Sequence, residues 1–174
     1  MQRILRSGYC FYNNITDLEF RKKWGALYNW MAVSSGHFAP ETWRVPSDAD
    51  WTELEDFLIA NGYNWDGSTT GNKVAKAMAA NTDWMFSPTE GAIGDYLSEN
   101  NATGFSALPG GKRFADDGVF EEELGYFGNW WTSSFDTATG DAFARGLSSQ
   151  HELLARYSHK KTCGYSVRLV RDLN

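Results

Sequence analysis

The side chains best suited to bind a ligand are concentrated in the last quarter of the chain, between Gly128 and Arg171. Short polar and aromatic residues are dense there, and such residues supply contact area and hydrogen bonds at low entropic cost. We therefore expect a surface that makes direct contacts, although an ordinary solvated sheet face with loops has a similar composition. The candidate ligand-binding residues are Trp131, Phe143, Arg145, Ser148, Ser149, Gln150, His151, Glu152, Tyr157, Ser158 and His159.

Two pairs of residues in this stretch have alternative roles. Trp130 and Trp131 are neighbours on a predicted strand and point to opposite faces, so we expect one to be buried and the other to lie near the binding face. Arg145 and Arg156 could contact a ligand, or they could pair with acidic neighbours and hold the strands together.

Other residues that often carry chemistry form no recognisable motif. His37, His151 and His159 lack the spacing of a metal-binding helix, and no Gly-x-Ser-x-Gly nucleophile motif accompanies them. We therefore expect a non-catalytic protein with no metal and no cofactor. The acidic residues Asp116, Asp117 and 121–123 could gather around a cation, but they also fit a turn followed by a solvated acidic run.

The two cysteines, Cys10 and Cys163, lie near opposite ends of the chain. They could form a disulfide if those ends meet, or they could remain two buried thiols. No zinc-type spacing of cysteines occurs.

Charge and hydropathy exclude two classes of partner. The 174-residue chain has a formal net charge of -6, and its basic residues are scattered except at 21–23 and 160–161. A protein that follows a phosphate backbone has a coherent basic face, so nucleic acid is excluded. The N-terminus lacks the apolar run of a signal peptide, and no segment is long and apolar enough for membrane insertion. The length fits a single domain over residues 1–174.

Strands are predicted around the candidate residues by period-two alternation bounded by turn residues. The predicted strands cover 130–132, 142–147 and 164–170, and they form a small antiparallel sheet. An aromatic run at 8–13 could pair near the last of them.

Two helices are predicted earlier in the chain. In the first, Ser47 is the N-cap, Asp50 is in capping-box register, and Asn61-Gly62 ends the helix. The second is the Ala-rich segment 72–80, and a further short helix over 27–32 is indicated by helical spacing of apolar residues. The segment 81–103 is polar and reads as a surface excursion. The predicted fold class is α+β, with two helices and a twisted antiparallel sheet.

Five sequence pieces in a fixed order connect the chain to a known family. They are Trp24–Trp30, Trp43–Trp51, Asn101–Gly111, Trp130–Ser134 and Gly164–Asp172. With these pieces the chain resembles the Fibrobacter succinogenes major paralogous domain, a family of bacterial and phage surface proteins. The resemblance implies a C-type-lectin-like fold. It also implies an extracellular location, on a bacterial cell surface or a phage particle.

The same fold occurs in the variable proteins of diversity-generating retroelements, and the chain is similar to them in its C-terminal segment. That similarity implies a binding face for a cell-surface protein or glycan, with Leu147, Leu154, Arg156, Lys161 and Gly164 as its frame. A structural or assembly domain with a fixed subunit contact is the alternative, and the oligomeric state stays open. The implied variable positions are Phe143, Ala144, Gly146, Ser148, Ser149, Gln150, His151, Glu152, Ala155, Tyr157, Ser158, His159 and Thr162.

The fold resemblance also suggests chemistry that the residues do not support. The calcium-binding tripeptides of animal lectins, Glu-Pro-Asn, Gln-Pro-Asp and Trp-Asn-Asp, are missing. The distant formylglycine-generating enzymes need a pair of reactive cysteines in the C-terminal portion, and this chain has only Cys163 there.

Overall fold

The computed structural model describes residues 6–115, 117–120 and 124–172. In that part of the chain the strands and helices are short, and irregular backbone connects them. The strands are β1 (Tyr9–Cys10), β2 (Leu27–Tyr28), β3 (Phe127–Phe135), β4 (Ala142–Ser148) and β5 (Ala155–His159). The helices are α1 (Leu18–Trp24), α2 (Trp30–Val33), α3 (Asp48–Ala60) and α4 (Ala75–Met78), with 3₁₀ turns at Tyr12–Asn14 and Leu97–Glu99.

The main sheet has the order β3-β4-β5, and both pairs of neighbours are antiparallel. The prediction of strands at 130–132 and 142–147 is therefore confirmed. The predicted strand at 164–170 is wrong, because its residues pair one at a time with different segments, such as Tyr165 with Tyr28 and Val170 with Arg44. The third strand is instead β5, whose polar side chains gave no strand signal.

A second, smaller sheet of two strands brings the first segment of the chain near the last. Strand β1 pairs antiparallel with β2, as Tyr9 with Tyr28 and Cys10 with Leu27. Tyr28 then exchanges backbone hydrogen bonds of 2.8 and 3.0 Å with Tyr165. The expectation that the aromatic run at 8–13 lies near the C-terminal segment is thus confirmed through β2.

Helix α3 begins and ends as its sequence predicts. Ser47 Oγ accepts from the Asp50 amide at 3.1 Å, and the Asp50 carboxylate accepts from the Ser47 amide at 2.6 Å. The two bonds form a capping box. At the other end, Asn61 is the C-cap and Gly62 follows with φ +74°.

The other helices differ from their predictions because tertiary pairing replaces helical hydrogen bonds. Helix α4 is shorter than the predicted 72–80, since Ala79 and Ala80 pair with Ala107. The predicted helix over 27–32 begins only at Trp30, where Asn29 Oδ1 accepts from the Ala32 amide at 3.0 Å. Helix α1 was not predicted, so the described residues contain four helices where two and a further short one were expected.

The main sheet is covered on both faces by apolar residues. Trp130 belongs to a cluster with Trp51 of α3 and the segment around α4, whereas Trp131 belongs to a second cluster with Trp30 and Tyr165. Adjacent residues of a strand face opposite sides, which explains the division. Both tryptophans are buried, so the expectation that one lies near the binding face is wrong.

Candidate ligand-binding surface

The eleven candidate residues separate into three groups. Those in the first group are buried and cannot touch a macromolecular ligand: Trp131, Arg145, Ser148 and Ser149. Trp131 is packed in the core, where its indole Nε1 donates to the Tyr28 carbonyl at 2.7 Å. Direct ligand contact by these four residues is therefore corrected to a structural role.

Arg145 shows why an arginine on this strand is buried. Its side chain is 1% exposed and donates to the Asp48 carboxylate at 2.9 Å, the Glu55 carboxylate at 2.9 Å and Thr52 Oγ1 at 2.7 Å. Arg156 on the neighbouring strand donates to Asp48 at 2.8 Å. Burial raises the pKa of Glu55, and the charge of Arg145 opposes that rise. The alternative in which both arginines pair with acidic neighbours is confirmed.

The second group packs at the end of the sheet away from the β4–β5 turn, and it consists of Phe143, Tyr157, Ser158 and His159. The Tyr157 hydroxyl donates to Asn129 Oδ1, and its ring meets His159 edge-on at 5.1 Å. His159 also meets Tyr165 at 5.8 Å, and burial lowers the pKa of His159. Phe143 lies under the Arg156 guanidinium at 4.2 Å and pairs with Ser158 across the strands. All four candidates here are partly engaged in packing.

The third group, Gln150, His151 and Glu152, lies in the turn between β4 and β5 and retains accessible surface. Backbone hydrogen bonds join this turn to a distant segment: the Gly94 amide donates to the Ser149 carbonyl at 2.8 Å, and the Ile93 amide to the His151 carbonyl at 3.4 Å. Gln150 Nε2 adds a bond of 3.1 Å to the Phe86 carbonyl.

The segment joined to this turn contributes a groove of about 560 Å³. Phe86 is 74% exposed and Tyr96 is 72% exposed, and both line the groove with Asp95. They are the most exposed large hydrophobic side chains in the described part of the chain. Segment 81–103, in which both rings lie, was predicted only as a polar surface excursion. The signal that was missed is the presence of aromatic residues, without periodicity, in a segment rich in glycine and acidic residues.

Trp65 extends this region on the other side of the turn. Its indole Nε1 donates to the Glu152 carboxylate, and its ring covers Gly91, where the backbone has φ +77°. A Cβ at Gly91 would collide with that ring. We define the aromatic surface as Trp65, Phe86, Tyr96, Gln150, His151 and Glu152.

Two buried polar side chains, Lys76 and Asn100, hold the backbone beneath the groove. The Lys76 side chain is 5% exposed, and its Nζ donates to the carbonyls of Asp95 and, at 3.4 Å, Tyr96. Burial lowers the pKa of Lys76. Asn100 Nδ2 donates to the Ile93 carbonyl at 3.2 Å and the Ala80 carbonyl at 3.1 Å. The exposed rings therefore stand on a braced backbone.

The Tyr96 backbone is unusual for a large residue. Its φ of 47° and ψ of 72° lie in the left-handed region, which costs roughly 1 to 3 kcal/mol for a residue other than glycine. The surroundings, including the bond from Lys76 to its carbonyl, hold it there. Strain of this kind, at an exposed aromatic residue beside a groove, is a feature common at binding sites.

Comparison with known proteins identifies the family. The model of the Fibrobacter succinogenes major domain matches residues 5–171. The chain belongs to this family. No curated protein and no solved structure matches the chain.

In this Fibrobacter succinogenes major domain, two of the sequence pieces that carry the resemblance lie side by side. Arg44 pairs with Val170 in the backbone, and its guanidinium bridges Asp50 at 2.6 Å and Asp172 at 2.9 Å. The hydrogen bond from Arg44, followed by those from Ser47, holds the pKa of Asp50 well below its usual range. The motif residues thus join helix α3 to the C-terminal segment.

The other chemistry considered from the sequence has the following outcome. No group of three or more His, Cys, Asp or Glu residues in the described ranges could hold a metal ion. Cys10 and Cys163 are not joined by a disulfide; Cys163 is buried and Cys10 is partly buried. Of the acidic residues proposed around a cation, Asp116 and 121–123 lie outside the described residues.

In the part of the chain that the structure describes, no helix has the length and apolar character needed to cross a membrane.

Proposed function

We propose that this domain is a non-catalytic recognition module that binds a cell-surface protein or glycan through the aromatic surface. The observation that carries the proposal is the position of Phe86 and Tyr96, which are highly exposed and flank the same groove. Aromatic side chains dominate the energy of many interfaces because they bury a large area and have few rotatable bonds.

The hydrogen bonds that hold the backbone of this segment favour a binding surface over an ordinary solvated loop. An aromatic ring that is already held in place loses little entropy when a ligand covers it, so more of the contact energy appears as affinity. Lys76 donates to the Tyr96 carbonyl and Asn100 donates to the Ile93 carbonyl, so both hold the backbone on the Tyr96 side of the groove. The backbone that carries the Tyr96 ring is therefore fixed before a ligand arrives.

The composition of the aromatic surface favours a separate ligand over a fixed subunit contact. A permanent subunit interface is apolar at its centre. Here the rings are interspersed with Gln150, His151 and Glu152, which remain accessible. An assembly role is the competing function, and self-association through the same residues would support it.

The family resemblance supports the proposed location and the proposed type of fold. We place the domain in an extracellular setting, on a bacterial cell surface or a phage particle, with a C-type-lectin-like fold. The meeting of the first and last segments at Tyr28 and Tyr165 is compatible with that fold. If a retroelement diversifies the C-terminal segment, the accessible turn at 150–152 is where changed side chains would reach a ligand.

The proposal is tested by probing immobilised bacterial surface proteins and glycans with the purified domain. We expect the wild-type domain to bind at least one component, and the double variant Phe86→Ser, Tyr96→Asn to lose about tenfold or more in affinity. Phe57→Ser is the matched control, since Phe57 is also an exposed ring, on helix α3.

Three results would overturn the proposal. They are an absence of binding, equal binding by the double variant, and equal loss in the Phe57 control. Sedimentation of the wild-type domain and the double variant separates the assembly function, which predicts self-association that the double variant abolishes.

A further inference from the structure

The groove between Phe86 and Tyr96 lies in a segment with a strong charge bias. Residues 77–111 include four acidic residues and no lysine or arginine. Asp83 is paired with Lys23 at 2.5 Å, and Glu99 lies 3.9 Å from Lys76. Glu90 and Asp95 form no ion pair within the described ranges. Asp95 lines the groove, so an unpaired carboxylate is available there.

The walls of the groove are suited to a cation. Phe86 and Tyr96 make no ring or cation contact with any residue that the structure describes, so their faces are open. The face of an aromatic ring carries negative potential and attracts ammonium and guanidinium groups. A carboxylate beside such rings adds a charge-assisted hydrogen bond. A neutral sugar would need several polar partners, and the side chains here offer mainly Asp95 and the Tyr96 hydroxyl.

Lys76 cancels only part of this charge, through its electrostatic interaction with Glu99 and Asp95. Its ammonium is buried and donates to the carbonyls of Asp95 and Tyr96 from within the domain. One ammonium stands against the three carboxylates of Glu90, Asp95 and Glu99, so the segment remains acidic. The whole chain is acidic as well, with a formal net charge of -6, and it attracts basic partners.

We propose that this groove binds an arginine or lysine side chain of a protein partner. The inference rests on the proposed function and names the chemical class that the groove recognises. A cavity of about 560 Å³ has room for the aliphatic stem of such a side chain, which would pack against Pro88 and Leu97. The partner is a protein because the aromatic surface continues beyond the groove to Gln150 and Trp65, which a free amine would not reach.

The test uses two peptides of equal length, one with several arginines and one with citrulline at each arginine position. Citrulline has nearly the same shape as arginine but no charge. Each peptide is titrated into the ¹⁵N-labelled domain at low salt. We expect the arginine peptide to shift the amide signals of Gly94, Asp95 and Tyr96, and to bind about tenfold or more tightly than the citrulline peptide.

Two variants of the same loop test whether the carboxylate that lines the groove contributes to binding. Asp95→Asn is expected to weaken binding of the arginine peptide by roughly threefold to tenfold and to reduce its dependence on salt. Glu90→Gln makes the same change of charge outside the lining of the groove, and we expect a smaller effect. Equal binding of the two peptides, binding of neither, or signals that shift elsewhere would each overturn the proposal.

The outcomes also separate this inference from the proposed function. If binding to a surface component depends on Phe86 and Tyr96 while the two peptides behave alike, the recognition function stands and the cationic ligand is wrong. If the double variant binds every surface component as well as the wild-type domain does, the recognition function itself fails.

Discussion

At the scale of single residues, Arg145 and Arg156 offer a direct comparison, because both donate to the Asp48 carboxylate. Arg145 is 1% exposed and its removal leaves Asp48 and Glu55 partly unpaired, so Arg145→Ala should lower the free energy of unfolding by about 3 kcal/mol. Arg156 is 47% exposed, so Arg156→Ala should cost about 0 to 1 kcal/mol. Urea unfolding measures the free energy of both variants. Similar losses of stability in the two would contradict the expectation that the buried arginine contributes more.

Tyr96 is the residue where contact and backbone strain coincide. Asparagine tolerates the left-handed region better than most residues, whereas alanine does not. Tyr96→Asn and Tyr96→Ala both remove the exposed ring, and we expect the asparagine variant to be more stable by about 0.5 to 1 kcal/mol. Thermal unfolding measures the difference. A less stable asparagine variant would indicate that the φ of 47° does not limit stability at this position.

At the scale of elements, the capping box of α3 predicts a pH dependence. The pKa of Asp50 is depressed by Arg44 and Ser47, so its carboxylate stabilises the folded state fully above the unfolded pKa of about 4, and this contribution decreases as the pH falls from there towards the lower pKa of the folded state. Asp50→Asn should lower the free energy of unfolding by about 1 kcal/mol at pH 7.

The measurement is urea unfolding of the wild-type and Asp50→Asn domains from pH 7 to pH 3. The difference between them should shrink as the pH falls through about 4, because Asp50 of the unfolded wild-type chain then takes up a proton, which stabilises that unfolded chain, and the variant has no such proton uptake. A difference that stays constant over this range would show that the lost ion pair with Arg44 contributes nothing.

Local hydrogen bonds fix the ends of helix α3, and local sequence predicted this helix. Helix α3 has its Ser47 cap and its apolar residues within one segment, and it was predicted correctly. Strand β5 gave no local signal, because its ladder to β4 supplies what its polar sequence does not. Helix α4 was predicted too long because Ala79 and Ala80 pair with Ala107, far away in sequence.

The binding surface was only partly predictable for the same reason. The turn at 150–152 was identified from its polar residues, and it does retain accessible surface. Its neighbours Phe86 and Tyr96 come from a segment more than fifty residues earlier, joined by backbone bonds such as Gly94 to Ser149 at 2.8 Å. No pattern within either segment indicates that pairing, so the groove could be found only from the structure.

At the scale of the whole molecule, the surface is assembled from two distant segments over a packed sheet, and this arrangement restricts which positions can vary. Ala144 and Ser149 are buried. A Cβ at Gly146 would lie 2.5 Å from the Tyr157 hydroxyl. Overpacking in such a setting costs about 1 to 3 kcal/mol, so a side chain added there would weaken the sheet without reaching a ligand.

If the C-terminal segment is diversified, its variation must therefore be narrower than the resemblance alone implies. We expect sequencing of this coding region across many individuals to find substitutions at Gln150, His151 and Glu152, with Ala144 and Gly146 unchanged. Frequent substitution at the two constant positions would contradict the packing argument, since both lie against the core. An invariant turn would exclude diversification and leave a fixed ligand, which the aromatic rings of the neighbouring segment could bind equally well.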